Sequence, residues 1–209
     1  MTRVIGGAAG GRRLAVPRGT STRPTSDRAR EGLFASVQSG LGSLAGKRVL
    51  DLYAGSGAVG LEALSRGAAH VLLVESDART AVVIKANVAA VGMAGATVVT
   101  DRAERLLGRP PEPAGRYDLV FADPPYAVPA EAVTRMLTLL AGGWLAGGAL
   151  AVVERATRSG TLEWPPGYLP DKSRRYGEAT FWYGWYSGGA DAGVAGHTAQ
   201  AVPQSALEE

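Results

Sequence analysis

The sequence contains no cysteine and has two histidines, His70 and His197. The lack of cysteine excludes disulfides and thiolate metal ligands, and it is typical of a cytoplasmic protein. Two histidines do not supply the cluster that a histidine-based metal site needs, so we expect no metal. No run of about 18 apolar residues occurs, and the first residues lack the apolar stretch of a signal peptide, so we expect no membrane association.

Acidic residues are nearly missing from the first 30 positions, where seven arginines face the single acid Asp27. The seven are Arg3, Arg12, Arg13, Arg18, Arg23, Arg28 and Arg30. Arginine binds phosphate oxygens through two parallel N–H groups, and such a cluster is typical of proteins that hold a nucleic-acid backbone. We therefore predict an RNA contact for Arg3, Arg12, Arg13, Arg23, Arg28 and Arg30. The alternative is a solvated, flexible arm.

The length and composition indicate one globular domain, because 46% of the 209 residues are apolar and 20% are charged. From Lys47 onward, strand patterns alternate with helix patterns. Five strands are predicted at 48–52, 70–75, 96–100, 117–122 and 149–154, and a terminal hairpin at 172–176 and 179–186. This order predicts an α/β fold with a mostly parallel, seven-stranded sheet and an antiparallel C-terminal edge.

The segments on either side of this core have a different character. Residues 4–5 and 14–16 predict two short strands of a glycine-rich hairpin, and Thr25 or Ser26 is placed to cap a helix that continues to Val37. We assign 1–40 as a small RNA-contacting hairpin and helix, and 41–186 as the core. Residues 187–209 lack periodicity and predict a disordered tail.

A cofactor site is predicted where the first core strand turns into a helix. The pattern there is Asp51-x-x-x-Gly55-x-Gly57-x-x-Gly60, and Glu75 ends the next strand. Glycines allow a ligand close to the backbone, and a carboxylate at the second strand end suits ribose hydroxyls. A nicotinamide dinucleotide uses the same arrangement. Asp51 favours S-adenosylmethionine instead, because its charge repels a pyrophosphate but suits an ammonium and a sulfonium.

A second site is predicted at Asp123-Pro124-Pro125-Tyr126, directly after the fourth core strand. Two prolines end the strand and make the turn stiff, at the sheet edge where open α/β folds bind ligands. The Asp123 carboxylate and the Pro124 carbonyl are acceptors for an exocyclic amine, and Tyr126 offers a face for stacking. The alternative is an ordinary turn with a half-buried tyrosine.

Taken together, these motifs resemble the RsmD-type family of small-subunit (16S) ribosomal RNA guanine-N2 methyltransferases. The resemblance rests on four segments in order and extends from Arg3 to about Tyr186. The segments are Arg3–Gly7 with Gly11–Leu14, Arg23–Phe34, Gly55–Ala68 and Asp123–Tyr126.

The resemblance implies a Rossmann-like class I methyltransferase that uses S-adenosylmethionine to methylate a guanine amine of 16S ribosomal RNA during 30S subunit assembly. It implies Asp123, Pro124 and Tyr126 as catalytic residues. The cofactor residues it implies are Asp51, Tyr53, Gly55, Ser56, Gly57, Glu75, Asp101 and Ala103. Arg102 stands where such cores often have Asp or Asn before Ala103, so either Asp101 contacts the adenine amine or backbone and stacking hold the ring.

Four other functions are compatible with parts of this pattern. A DNA amino-methyltransferase also uses a Pro-Pro-aromatic turn, but no segment is large enough for a target-recognition domain. A protein-glutamine methyltransferase more often has Asn in place of Asp123. A nicotinamide-dependent oxidoreductase and a non-catalytic RNA-binding assembly factor are the alternatives outside the methyltransferase class.

Overall fold

The computed structural model describes residues 2–17, 26–111 and 115–188. Arg23, predicted to contact RNA, and residues 189–209, assigned to the disordered tail, lie outside the described residues. The N-terminal part contains two short antiparallel strands and one helix: β1 Thr2–Arg3, β2 Arg13–Leu14 and α1 Asp27–Leu41.

Within residues 41–111 and 115–186, the core consists of seven strands and four helices, which confirms the predicted alternation. In chain order they are β3 Arg48–Leu52, α2 Ala58–Ser65, β4 His70–Glu75, α3 Ala78–Val91, β5 Ala96–Thr100, α4 Ala103–Leu107, β6 Tyr117–Ala122, α5 Ala130–Ala141, β7 Leu145–Ala156, β8 Tyr168–Tyr176 and β9 Ala179–Tyr186. A 3-10 turn covers Thr157–Ser159.

The seven strands form one sheet in the order β5-β4-β3-β6-β7-β9-β8. Strands β5 to β7 are parallel, and β9 and β8 add an antiparallel edge. This is the α/β, Rossmann-like class I fold with the predicted mixed sheet. The chain crosses from β3 to β4 on one side and later returns to β6 on the other, so a ligand-binding crevice is expected between the ends of β3 and β6.

Two apolar cores lie on opposite faces of the sheet. One packs α4 and α5 against the face that carries Leu52, Val74 and Ala122. The other packs α1, α2 and α3 against the face that carries Leu73 and Phe121. Because β3, β4 and β6 are covered on both faces, their sequences are almost continuously apolar, which is why they could be predicted from sequence alone.

The N-terminal hairpin has its own small core and docks onto α2 and α3. Val4 and Leu14 are fully buried against Leu61 of α2 and Val91 of α3. The strands pair at Thr2–Arg3 and Arg13–Leu14, so the predicted strand at 4–5 is wrong by two residues and the one at 14–16 begins one residue late and ends two residues late. The side chains of Val4, directly after β1, and of Leu14, in β2, serve this separate core.

Three other elements have boundaries that differ from prediction, each because of tertiary packing. Helix α1 continues to Leu41, four residues beyond the predicted end, and lies against β9: a Cβ on Gly40 would be 2.9 Å from the Trp185 ring. Strand β7 extends over Leu145–Ala156, with an irregular register against β6, and β8 begins at Tyr168. Pairing with neighbouring strands therefore extends β7 and β8 over residues whose local sequence predicts a strand only weakly.

Candidate active site

The predicted glycine loop lies at the carboxyl end of β3, in the crevice between β3 and β6. Gly57 has φ +76° and precedes the first residue of α2. A Cβ there would lie 3.0 Å from a Leu73 methyl and 3.1 Å from an Ile84 methyl, so both the conformation and the packing require glycine. Gly55 has open space where a side chain would be, with no atom nearer than the Tyr53 carbonyl at 4.0 Å. A ligand can therefore approach the loop at Gly55.

Glu75 holds this loop from the neighbouring strand end. Its Oε2 accepts a hydrogen bond from the Gly55 N–H at 3.0 Å, and its Oε1 accepts one from the Asp77 N–H at 2.9 Å. The carboxylate is partly exposed and keeps lone pairs for a ligand. This is the position predicted for a ribose-binding carboxylate, with the added finding that Glu75 also orients the glycine loop.

Asp51 is buried beneath the loop, with 1% of its surface exposed. Its Oδ2 accepts a hydrogen bond from the Gly60 N–H at 2.8 Å. Desolvation raises the pKa of Asp51 to about 8; the hydrogen bond from Gly60 opposes the shift and the charge of Glu75 adds to it. A ligand with a positive charge next to Asp51 would favour the ionised carboxylate, which fits the ammonium of S-adenosylmethionine.

A cavity of about 190 Å³ lies beside the loop, lined by residues from the ends of four strands and the start of α4. Its lining comprises Tyr53, Val74, Ser76, Asp101, Arg102, Ala103, Glu104, Pro125 and Val128. Tyr53, with φ +59°, donates from its hydroxyl to Glu104 Oε1 at 2.6 Å. Burial and the contact with Glu104 raise the pKa of Tyr53. The mixture of flat apolar walls and polar rim suits an adenine ring.

The structure gives Asp101 partners other than a ligand. One carboxylate oxygen accepts from the Arg102 N–H at 2.7 Å and from Arg105 Nε, and the other accepts from Arg109 Nη2 at 3.1 Å. The hydrogen bond from Arg105 is the main cause that lowers the pKa of Asp101. These three bonds use most of the acceptor positions of the Asp101 carboxylate, which lines the cavity together with apolar side chains.

The Asp123 turn projects from the end of β6 on the other side of the crevice. Pro125 lines the cavity, and Tyr126 next to it is 46% exposed. Among the hydrogen bonds of the described residues, none uses the Pro124 carbonyl. The turn therefore places a carboxylate, the carbonyl of the buried Pro124 and a half-exposed tyrosine ring beside the cavity.

Glu154 adds a carboxylate that the sequence prediction missed. Ala122 and Val153 are paired in the β6–β7 register, so Asp123 and Glu154 occupy the next positions on neighbouring strands. Glu154 is buried, with 4% exposure. Desolvation, followed by the charges of Glu154 and Asp51, raises the pKa of Asp123 well above its ordinary value. The signal was available, because Glu154 ends a predicted strand just as Glu75 does.

Arg155 supports the turn from the same strand. It is 6% exposed, and its Nη2 donates to the Val128 carbonyl at 2.9 Å. The Val128 N–H in turn donates to the Pro125 carbonyl at 2.8 Å. The segment that follows Asp123 is thus held to the core at its far end, and no local sequence pattern indicates this contact because 27 residues separate its partners.

The predicted RNA-binding arginines that the structure describes fall into two groups: four are exposed and one is buried. Arg3, Arg13 and Arg28 have exposed side chains, although Arg3 Nε also donates to Asp27 at 3.2 Å. Arg12 is exposed, but its Nη1 donates to the carbonyls of Ala90 and Val91 at the end of α3.

Arg30 belongs to the second group, because it is completely buried. Its Nη2 donates to Thr2 Oγ1, the Arg3 carbonyl and Asp27 Oδ1 at 2.7–2.9 Å. The guanidinium therefore fastens β1 to α1 and has no surface to offer to a phosphate.

In residues 2–17, 26–111 and 115–188, no group of three or more His, Cys, Asp or Glu side chains is arranged to hold a metal ion. Within the same ranges, none of the helices combines the length and apolar character that a membrane crossing requires.

The chain is similar in sequence to a family of known proteins. A family model described as "Conserved hypothetical protein 95" matches residues 2–185. Ribosomal RNA small subunit methyltransferase D of Escherichia coli K12 is 35% identical over 180 residues, which cover 86% of this chain and 87% of that protein. The putative rRNA methyltransferase YlbH of Bacillus subtilis is 37% identical over 139 residues, covering 66% of this chain and 73% of that protein.

A solved structure agrees with these sequence matches. The putative methyltransferase yhhF from Escherichia coli superposes with a TM-score of 0.77 at 32% identity, covering 88% of this chain and 97% of that one. The motif-based resemblance is confirmed, and the chain belongs to the methyltransferase family of ribosomal RNA small subunit methyltransferase D.

Proposed function

We propose that this protein transfers a methyl group from S-adenosylmethionine to the exocyclic N2 amine of a guanine in 16S ribosomal RNA, on a particle of the 30S assembly pathway. The observation that carries the proposal is the position of the Asp123–Tyr126 turn. Its Pro125 forms a wall of the adenine-sized cavity, so a base held by Asp123 and Tyr126 is next to a cofactor held by the glycine loop. The names of the relatives support the RNA as substrate.

The residues of the cofactor half fit S-adenosylmethionine in charge and shape. Glu75 has lone pairs for the ribose hydroxyls, Gly55 leaves room for the ligand, and Asp51 matches an ammonium. Tyr53 and Ala103 line the cavity for the adenine. When bound, the cofactor supplies a methyl group that its sulfonium activates for transfer. For Asp101 we propose a structural role at the edge of the cavity rather than contact with the adenine amine.

Asp123 and Pro124 would orient the nucleophile. A guanine amine is a weak nucleophile because its lone pair is delocalised into the ring. The Asp123 carboxylate and the Pro124 carbonyl accept its two N–H groups, which directs the lone pair towards the methyl carbon and stabilises positive charge as it develops. The amine nitrogen would accept the methyl group that S-adenosylmethionine supplies, with the demethylated cofactor as the leaving group, and would then lose one proton.

The raised pKa of Asp123 suits it to receive that proton. Burial and the neighbouring Glu154 both disfavour a negative charge on Asp123, so its carboxylate is a stronger base than an exposed one. Tyr126 would stack on the guanine, which must be turned out of any helix to reach the turn. Its partly exposed ring is available for this contact.

The N-terminal element would hold the RNA backbone. Arg3, Arg13 and Arg28 have exposed guanidinium groups, and Arg23 is proposed with them on sequence alone. Arg12 and Arg30 support the element itself through their contacts with α3 and β1. Residues 1–40 therefore remain our proposed RNA-contacting part, and 41–186 the proposed methyltransferase core.

Transfer of labelled methyl from S-adenosylmethionine tests the proposal. The substrates are 30S particles, free 16S ribosomal RNA and duplex DNA, with Asp123→Ala as the inactive control. We expect label on one guanine N2 of 16S ribosomal RNA and none in the control. Label on DNA would overturn the RNA assignment, label on another atom would overturn the guanine amine, and no label on any substrate would contradict the proposal as a whole.

A further inference from the structure

Asn87 is a buried side chain that contacts both the N-terminal element and the cofactor loop. It lies in α3 and is 2% exposed. Its Oδ1 accepts a hydrogen bond from the Ala15 N–H at 2.8 Å, and its Nδ2 donates to the Ala15 carbonyl at 2.9 Å. The same Nδ2 donates to the Ser56 carbonyl at 2.8 Å. Two carbonyls and one N–H surround the amide, so its partners permit one orientation of oxygen and nitrogen.

These three bonds join regions that are far apart in the chain. Ala15 follows β2, and Ser56 lies between Gly55 and Gly57 in the loop that faces the predicted cofactor. The amide binds Ala15 as a paired strand would, through both a donor and an acceptor. Because the group is planar and both its N–H donors are used, Ala15 and Ser56 cannot shift relative to each other without breaking one of these partly buried hydrogen bonds.

Other polar contacts fix the N-terminal element to α2 without touching the loop. Glu62 accepts from the Ile5 N–H at 2.6 Å and the Gly6 N–H at 2.9 Å. Ser65 Oγ accepts from the Ala9 N–H at 2.8 Å and donates to the Gly6 carbonyl at 2.6 Å. The chain therefore offers matched positions: Ser65 anchors the element alone, whereas Asn87 anchors the element and the loop together.

We propose that Asn87 is a positioning residue that couples RNA contact at the N-terminal element to cofactor binding at the glycine loop. This inference rests on the RNA-contacting role proposed above for that element. RNA that holds Ala15 in place would hold Ser56 through Asn87, and a cofactor that orders the loop would order Ala15 in return. By thermodynamic linkage, RNA and cofactor then increase each other's affinity by one common factor.

The test measures binding of S-adenosylhomocysteine by calorimetry, with and without saturating 16S ribosomal RNA. This analogue of the cofactor has no methyl group to transfer, so binding is measured without turnover. The variants are Asn87→Ala, Asn87→Asp and Ser65→Ala. Asn87→Asp keeps an acceptor for the Ala15 N–H but loses both donors. Thermal unfolding of each variant identifies the temperature at which all are folded, and every measurement is made there.

We expect RNA to increase the affinity of the wild type for the analogue by about fivefold or more. Asn87→Ala and Asn87→Asp should weaken binding without RNA by on the order of tenfold and reduce the effect of RNA to nearly none. Ser65→Ala should leave binding without RNA unchanged and should keep most of the coupling. A purely structural role for Asn87 would lower the unfolding temperature and leave the coupling factor intact.

Three results would overturn the inference. They are Asn87 variants that keep the coupling, a wild type that binds RNA without any change in affinity for the analogue, and equal loss of coupling in Ser65→Ala. Failure of the proposed function has a different signature. In that case the wild type neither binds nor methylates the RNA. The difference in affinity for the analogue between the wild type and the Asn87 variants, measured without RNA, still reports whether Asn87 positions Ser56.

Discussion

The two halves of the crevice differ in how far their polar groups are already satisfied. In the cofactor half, Glu75 bonds to Gly55, Asp51 bonds to Gly60, and Tyr53 bonds to Glu104. In the substrate half, the Pro124 carbonyl has no hydrogen bond from the described residues, and Tyr126 is nearly half exposed. The cofactor half is therefore internally organised, whereas the substrate half presents unused acceptors and an open ring.

This difference indicates two kinds of binding. A site whose groups are fixed by the protein holds a small ligand with little loss of conformational freedom on binding. A turn whose acceptors have no partner forms its hydrogen bonds when the substrate amine binds. Hydrogen bonds that become stronger in the transition state raise the rate of methyl transfer. Substitutions in the two halves should accordingly change different kinetic constants, and the four predictions below use this contrast.

The largest effect is expected for Asp123→Ala. Loss of the carboxylate should lower kcat by about 100- to 1,000-fold, because one acceptor for the developing charge is removed. Affinity for S-adenosylhomocysteine should stay within about twofold of the wild type, since no side-chain hydrogen bond of the described residues joins Asp123 to the cofactor loop. Methyl-transfer kinetics and calorimetry measure the two constants. Equal loss of both would show that the two halves are not separate.

Glu75→Ala should produce the opposite pattern. It removes the acceptor for the Gly55 N–H together with the carboxylate proposed for the ribose. A hydrogen bond to a charged group contributes about 1.5–3 kcal/mol, so affinity for the cofactor should fall by about 10- to 100-fold. At saturating cofactor, kcat should be restored to near the wild-type value. A kcat that stays low at saturation would contradict the assignment of Glu75 to binding.

The pKa of Asp51 predicts a pH dependence that belongs to the cofactor half. In the free protein this pKa is about 8, so the carboxyl group is mostly protonated at pH 6 to 7. A ligand ammonium favours the ionised form, and binding should therefore release a proton and tighten as the pH rises towards 8. The gain is up to about tenfold per pH unit in this range. Calorimetry in buffers of different ionisation enthalpy detects the proton.

Asp51→Asn is the matched control, since its side-chain oxygen can still accept from the Gly60 N–H. It should bind the cofactor with no proton release and little pH dependence between pH 6 and pH 8. If the wild type releases no proton at pH 7, the ammonium does not bind next to Asp51.

The smallest effect is expected for Tyr126→Ala in the substrate half. Stacking of a base on an aromatic ring contributes about 1–3 kcal/mol, so kcat/KM for RNA should fall by about tenfold while cofactor affinity is unchanged. Tyr126→Phe keeps the ring and should retain most of the activity. A large loss in Tyr126→Phe would mean that the hydroxyl, rather than the ring, makes the important contact.

Much of the site could be predicted because its residues occupy strand ends. The boundaries of β3, β4 and β6 agree with prediction, since buried parallel strands are short apolar runs between clear breaks, and those of β5 and β9 agree as well. Glu75 and Asp123 directly follow or end such buried runs. Parallel strands have their carboxyl ends at one edge of the sheet, so both side chains could be predicted at the edge where open α/β folds bind ligands.

Other features were not predictable, because they depend on contacts between distant residues. Arg30 is as basic as Arg28 and lies two positions away, yet Arg30 is completely buried and Arg28 is exposed. Local sequence does not reveal that Arg30 faces β1. The same applies to Asn87, whose partners Ala15 and Ser56 are 72 and 31 residues away.

Local chemistry thus accounts for the strands, the glycine loop, the stiff Asp123 turn and the family, because each is encoded by neighbouring residues. Packing decides which charged groups reach a ligand. Asp101 is engaged by arginines four and eight positions later, and Glu154 reaches Asp123 through the register of two strands. The position and pKa of a side chain depend on every element that surrounds it, and those surroundings exist only once the chain has folded.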